Sequence, residues 1–160
     1  MKTLVKLNAV ADVPKPQGCT NLKLRQLTRR VTQHYDVELA KTGLKTTQYS
    51  LLSHVVKLGP IRAVDLAGAM RMSTSTLSRN LQPLVASGWV EVNAGHDARS
   101  RLISATESGQ SKRSEAQRKW RTAQEGINAT LGIERVLALH ALIDESLELL
   151  SPLESGDDDV

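Results

Sequence analysis

The chain is expected to fold as a mainly α-helical protein with one small β-hairpin, and three features of the sequence lead there. Six segments keep an apolar stripe at helical spacing. The pattern switches to short alternating runs at Trp89-Val-Glu-Val and Leu102-Ile-Ser-Ala, on either side of a polar, Arg-rich loop. Two short helical segments directly precede that hairpin, and longer helices lie on both sides of the unit.

Residues 1–18 contain Pro14, Pro16 and Gly18 without periodicity and read as a flexible arm. From Thr20, Leu24, Leu27, Val31, Tyr35 and Leu39 share one face, and Thr42-Gly43 ends that helix. A second helix over 47–58 turns Leu51, Leu52, Val55 and Val56 inward before Gly59-Pro60. A short third, over 63–70, offers Leu66 and Met70 to a core.

After the tight Arg71-Met72-Ser73 connection, Ser73 is a good cap, because its hydroxyl can accept a free amide of the helix it starts. That fourth helix buries Leu77, Leu81, Leu84 and Val85 and stops at Gly88. The strands come next, joined by a loop over 93–101. Two helices close the chain. One, over 108–130, carries Ala116, Trp120, Ala123 and Ile127; the other, over 133–150, carries Val136, Leu137, His140, Ile143, Leu147 and Leu150.

Two short helices followed at once by a basic hairpin make a winged helix-turn-helix. The flanking stripes are longer than so small a module can cover, as a dimerisation scaffold requires. The expected organisation is an arm (1–18), an N-terminal dimerisation helix (19–45), a winged helix-turn-helix domain (46–106), C-terminal dimerisation helices (107–150) and an acidic tail (151–160).

Composition narrows the function classes. Hydrophobic residues at 40% and charged residues at 24% suit a globular protein. With 2% aromatics and no Phe, the core must be aliphatic, so each Trp and Tyr is informative. No apolar run reaches membrane-spanning length, and the start lacks a signal-peptide core. A single cysteine, Cys19, allows no intrachain disulfide, so a cytoplasmic location is expected. The formal charge is +4, but residues 144–160 carry −7, which leaves +11 on residues 1–143. Such an excess favours a polyanion through counterion release.

The chemistry concentrates in two places. The fourth helix presents Thr74, Ser75, Thr76, Ser78 and Arg79 near its start. Short hydroxyls permit close approach to phosphates and thymine methyls, Arg79 can pair with guanine through two hydrogen bonds, and the helix N-terminus attracts phosphate. At the hairpin tip, Gly95-His-Asp-Ala-Arg-Ser-Arg101 places Arg99 and Arg101 on a narrow loop suited to a minor groove, with Asp97 in reach to hold a guanidinium.

Over residues 20–150 these motifs resemble the MarR family. The resemblance rests on Gly43-Leu44 with Gln48, Leu66-Ala67, Ser75-Thr76-Leu77-Ser78-Arg79, Gly88-Trp89-Val90, Asp97-x-Arg99-x-Arg101 and Thr106-Glu-Ser-Gly109. It implies a dimer formed by the first and last two helices, binding a pseudo-palindromic DNA duplex. Arg99 would be the minor-groove residue and Asp97 its support. Two departures stand out. Lys45 occupies a position where many relatives have a Ser or Thr cap, which moves the expected cap to Thr46. Pro83 lies inside the recognition helix and is expected to bend it.

The resemblance also implies a repressor released by a small aromatic or phenolic acid. Such a ligand needs apolar walls and a few polar anchors, for which the candidates are Arg25, His34, Tyr35, Tyr49, His54 and Trp120. Thiol oxidation at Cys19 is the rival trigger, and an architectural DNA binder without a ligand is a further alternative. The four histidines show no metal-ligand spacing, and no catalytic or phosphate-loop motif occurs, so neither metal, cofactor nor enzymatic activity is expected.

Overall fold

A computed structural model describes residues 15–95 and 101–150. Helices α1 (Thr20–Leu39) and α2 (Thr46–Leu58) are followed by strand β1 (Ile61–Arg62), then α3 (Ala63–Ala69) and α4 (Thr74–Ala86). Strands β2 (Val90–Ala94) and β3 (Arg101–Ala105) lead into the long helices α5 (Glu107–Leu131) and α6 (Ile133–Leu149).

The sheet has three antiparallel strands in the order β1-β3-β2, not the two expected. Ile61 pairs with Ile103 and Arg62 with Leu102, so a two-residue strand closes the inner edge of the wing. Val90 pairs with Ala105 and Ala94 with Arg101, so the hairpin strands reach further toward the tip than the expected loop over 93–101 allows.

The core lies between the sheet and α2, α3 and α4, where Leu44, Leu51, Leu52, Leu66, Leu77, Leu84 and Ile103 are almost wholly buried. Removing such a side chain from water contributes about 1.5–3 kcal/mol each. On α4, Leu77, Leu81 and Leu84 point inward as expected. Val85 does not: it is 41% exposed, because it lies one step around the helix from Leu84 and faces the wing side. The helix continues without a break through Pro83.

Helix α1 ends at Leu39, and a 3-10 turn over Ala40–Thr42 carries the chain to Gly43 in the left-handed region. Thr46 does not cap α2; it is the first helical residue, and Lys45 occupies the cap position. A lysine has no acceptor to offer, so the work passes to two other side chains. Gln48 Oε1 accepts the Lys45 amide at 2.9 Å. Asp36, ten residues upstream on α1, accepts both the amide and the hydroxyl of Thr46, at 2.8 and 2.6 Å.

Small residues let α1 lie close along α5. Ala116 and Ala123 are buried, and His34 Nε2 meets the Ala123 carbonyl at 3.1 Å. Much of the remaining scaffold stripe, away from Leu39, is uncovered. Leu24 and Leu27 on α1, and Leu137, Leu142, Ile143 and Leu149 on α6, are all between 38% and 78% exposed. Among the expected inward residues of α6, only Val136 is buried.

Candidate nucleic-acid interface

The turn that presents α4 is built around an unusual residue. Arg71 has φ of 50°, a left-handed backbone normally left to glycine. The Met72 amide reaches the Ala67 carbonyl and the Arg71 amide the Gly68 carbonyl, both at 3.0 Å, which is the doubled closure that ends a helix in this conformation. The chain then turns straight into Ser73, whose hydroxyl accepts the Thr76 amide at 3.2 Å, as the sequence suggests.

Around that cap the hydroxyls form a small cluster. Ser73 Oγ donates to Thr76 Oγ1 at 2.9 Å and lies 3.1 Å from Ser75 Oγ. Thr76 is half-buried and takes part in the cap, whereas Thr74, Ser75, Ser78 and Arg79 are exposed. Arg79 Nε donates to the Ser75 carbonyl at 3.3 Å, which lays the guanidinium along the first turns of α4. The unpaired amides at this end and the helix dipole favour an anion such as a phosphate.

Arg101 begins β3 at the last described pair of the hairpin and is exposed. Asp97 and Arg99 lie outside the described residues. Between α4 and the wing runs an apolar groove of about 430 Å³, lined by Thr74, Leu77, Ser78, Val85, Val92 and Arg101 among others. Neither the role of Arg71 nor this groove is legible in the sequence. A left-handed arginine leaves no local signal, and the groove brings together residues from separate elements.

The Thr106-Glu-Ser-Gly109 motif proves to be the joint between wing and scaffold. Thr106 Oγ1 accepts the Gly109 amide at 3.0 Å and donates to the Gly88 carbonyl at 2.6 Å. Ser108 Oγ donates to the same carbonyl at 3.0 Å, and the Thr106 amide to the Trp89 carbonyl at 3.1 Å. Gly109 is buried against the Trp89 carbonyl with no room for a Cβ. Lys112 Nζ lies 5.4 Å above the Trp89 ring, a cation–π contact.

Of the six candidate ligand residues, the structure gathers four. Tyr35 and Tyr49 flank Trp120 with ring centroids 6.5 and 6.2 Å away, and His34 meets Tyr35 edge-on at 6.3 Å. The Tyr35 hydroxyl donates to Gln124, and burial pushes its pKa up from the usual phenol value. Arg25 is exposed, ten residues from Tyr35 on the same helix and so about 15 Å away along its axis. His54 Nδ1 is engaged with the Ser50 carbonyl of its own helix at 2.8 Å. Cys19 is exposed at the cap position of α1, and its side chain makes no capping hydrogen bond. Among the described residues, no group of three or more His, Cys, Asp or Glu could hold a metal ion.

A tight helical turn presenting a hydroxyl-rich helix start, with a β-hairpin beside it and long helices behind, defines a winged helix-turn-helix DNA-binding protein. Residues 42–100 match the MarR family model, and the chain is 30% identical to the transcriptional regulator MosR of M. tuberculosis, solved in complex with DNA. The chain belongs to the MarR family. The MosR match covers 81% of this chain and 98% of that one, with a TM-score of 0.67.

A mutant MarR of E. coli complexed with operator DNA shares the fold at 19% identity, covering 79% of this chain and 92% of that chain, with a TM-score of 0.72. An uncharacterised HTH-type transcriptional regulator of Bacillus subtilis, YwoH, is 24% identical over 90 residues, 56% of this chain and 66% of that protein. The alignment thus spans just under two thirds of this curated relative. The family and fold are those of DNA-binding transcriptional regulators, not of enzymes. Among the described residues, no single helix is long and apolar enough to cross a membrane.

Proposed function

We propose that the protein is a cytoplasmic homodimeric repressor whose α4 enters the major groove while the wing contacts the neighbouring minor groove. The observation that carries this reading is the exposed face of Thr74, Ser75, Ser78 and Arg79 at the capped start of α4, with Arg101 on the adjacent wing. Arg79 reads a base edge, the α4 amides hold a phosphate, and Arg99, supported by Asp97, enters the minor groove. The solved complexes of MosR and MarR with DNA support it by likeness.

Dimerisation is supported by the apolar residues left in water on α1 and α6, a scaffold face that the described residues of one chain do not cover. Leu142→Asp is expected to give a monomer by analytical ultracentrifugation and to lose the tight binding that two half-sites about one DNA turn apart provide. The test of the whole reading compares binding to the duplex upstream of its own gene with binding to random duplex at fixed salt. Specific binding should be tighter by about 10³-fold or more, and equal affinity would reject sequence-specific regulation.

The released state is assigned to a small aromatic or phenolic acid, and the groove between α4 and the wing favours a site for it there. Apolar walls with one guanidinium, Arg101, suit a flat acid, and an occupant beside Thr74 and Ser78 would compete directly with DNA. The aromatic cluster around Trp120 is the other candidate. In titrations with hydroxybenzoates, Val92→Trp should abolish release from DNA if the groove is the site. Release that persists in Val92→Trp but disappears in Trp120→Ala would move the site to the cluster.

A further inference from the structure

The acidic end of the chain has no part in the proposed DNA contacts, yet α6 delivers it to the DNA-binding face. Leu147 and Leu150, at the end of α6, line one side of a groove of about 500 Å³. Ala67, Gly68 and Met72 line the other, with Arg71 and the cap residue Ser73 at its rim. The chain therefore leaves α6 beside the turn that starts α4.

The order of residues past Leu150 suits that surface. Pro152 does not favour continuing a helix, and Leu153, the one leucine of the segment, follows three residues after Leu150. Glu154, Asp157, Asp158 and Asp159 come next, with no Lys or Arg among residues 151–160. At about 3.3–3.6 Å per extended residue, the stretch from Leu150 to Asp159 reaches roughly 30 Å. That is enough to span the first turns of α4, where exposed Arg71 and Arg79 and the helix-start amides favour an anion.

We propose that residues 151–160 dock back onto the α3–α4 turn of their own chain, with Leu153 in the groove and the carboxylates over Arg71 and Arg79, as an intrinsic competitor of DNA phosphates. Such a tail suppresses binding to random duplex, which offers charge alone. A specific site adds base contacts and displaces the tail. The competition is electrostatic, so it fades as salt rises.

The inference rests on α4 being the DNA-binding element, and the experiment separates the two. The protein and two variants are compared on random duplex from about 50 to about 300 mM salt. One variant combines Glu154→Gln, Asp157→Asn, Asp158→Asn and Asp159→Asn. The other is Leu153→Ser, which releases the anchor without changing net charge. Both should bind about threefold to tenfold more tightly at low salt, with a steeper salt dependence that converges on the parent protein at high salt.

A spin label at Val160→Cys, in a Cys19→Ser background, should broaden the amide resonances of residues 71–79 at low salt and release them when duplex is added. Unchanged affinity in Leu153→Ser, or absence of that broadening, overturns the tail inference. If Arg79→Ala leaves duplex binding unaltered, the assignment of α4 falls instead, and the inference falls with it.

Discussion

Replacing Gly109 by alanine tests whether the wing and the long scaffold helix are joined as tightly as their geometry requires. A Cβ at this position meets the carbonyl oxygen of Trp89, with the Trp89 carbonyl carbon only 2.8 Å away. Both are backbone atoms, so no side chain can swing aside. Either the start of α5 or the start of β2 must move. Overpacking of this kind costs about 1–3 kcal/mol. The shift also stretches the Thr106 amide bond to Trp89 and the Thr106 cap on Gly109, worth about 1 kcal/mol apiece. Alanine returns about 1 kcal/mol through its better helix propensity. The expected net loss is about 3 kcal/mol, a substantial share of the roughly 5–15 kcal/mol that holds a domain folded. Urea denaturation followed by far-ultraviolet circular dichroism measures it as a lower midpoint at an unchanged slope. A loss below about 1 kcal/mol, or any gain, would refute the close approach of α5 to the wing.

Four further sites can be probed by stability or by DNA binding. Asp36→Ala removes the side chain bonded to both the amide and hydroxyl of Thr46, and should lower stability by about 1–2 kcal/mol in the same urea titration, while Asp36→Asn keeps much of it. Arg71→Gly relieves a left-handed non-glycine residue and should raise stability by about 1 kcal/mol, yet weaken binding to DNA in fluorescence anisotropy. A variant both more stable and unimpaired would show that the Arg71 side chain has no role at the interface. Arg79→Ala should cost about 1–3 kcal/mol on the specific duplex and relax discrimination at one base pair, whereas Arg101→Ala should weaken all duplexes similarly and reduce the salt slope by about one.

Much of this architecture is legible in the residues, and the parts that are not share a cause. Ser73 is recognisable as a cap because the cap, its amide partner Thr76 and the apolar row of Leu77, Leu81 and Leu84 lie within one helix. Strand β1 is not, since two residues carry no period and Ile61 becomes a strand only by pairing with Ile103, far along the chain. The resemblance moves the α2 cap to Thr46, and the structure departs from it for the same reason: an acceptor at this start comes from Asp36 on another helix. Local pattern puts Val85 inside, because a stripe read from sequence has a width that only the neighbours of the helix decide. The α6 stripe is apolar as expected, yet Leu137, Leu142 and Ile143 remain in water, because nothing among the described residues packs over them. At the candidate interface, the exposed α4 residues emerge from local pattern and the left-handed turn at Arg71 does not, since it is a matter of backbone conformation and not of residue type.

The joint at Gly109 also gives the proposed switch a physical route. Helix α5 is 25 residues long, or about 37 Å, and is held along its length by different partners. Its start is pinned to the wing through Gly88, Trp89 and Thr106, and its middle is packed on α1 and α2 through Trp120, Tyr35 and Tyr49. A pivot of about 5° in such a rod displaces its far end by roughly 3 Å, against a half-site spacing near about 34 Å that both recognition helices of a dimer must match at once. Packed helices shift between discrete arrangements and do not bend continuously, so a displacement of that size separates a matched dimer from a mismatched one. A ligand acts only through its different affinity for the two. In the groove between α4 and the wing it would block DNA with no change at the aromatic cluster. At the cluster it would have to work through α5, and the Gly109 joint would then be required for release as well as for folding. A Gly109 variant that remains folded, binds operator and still releases it with an aromatic acid would therefore place the effector at the groove.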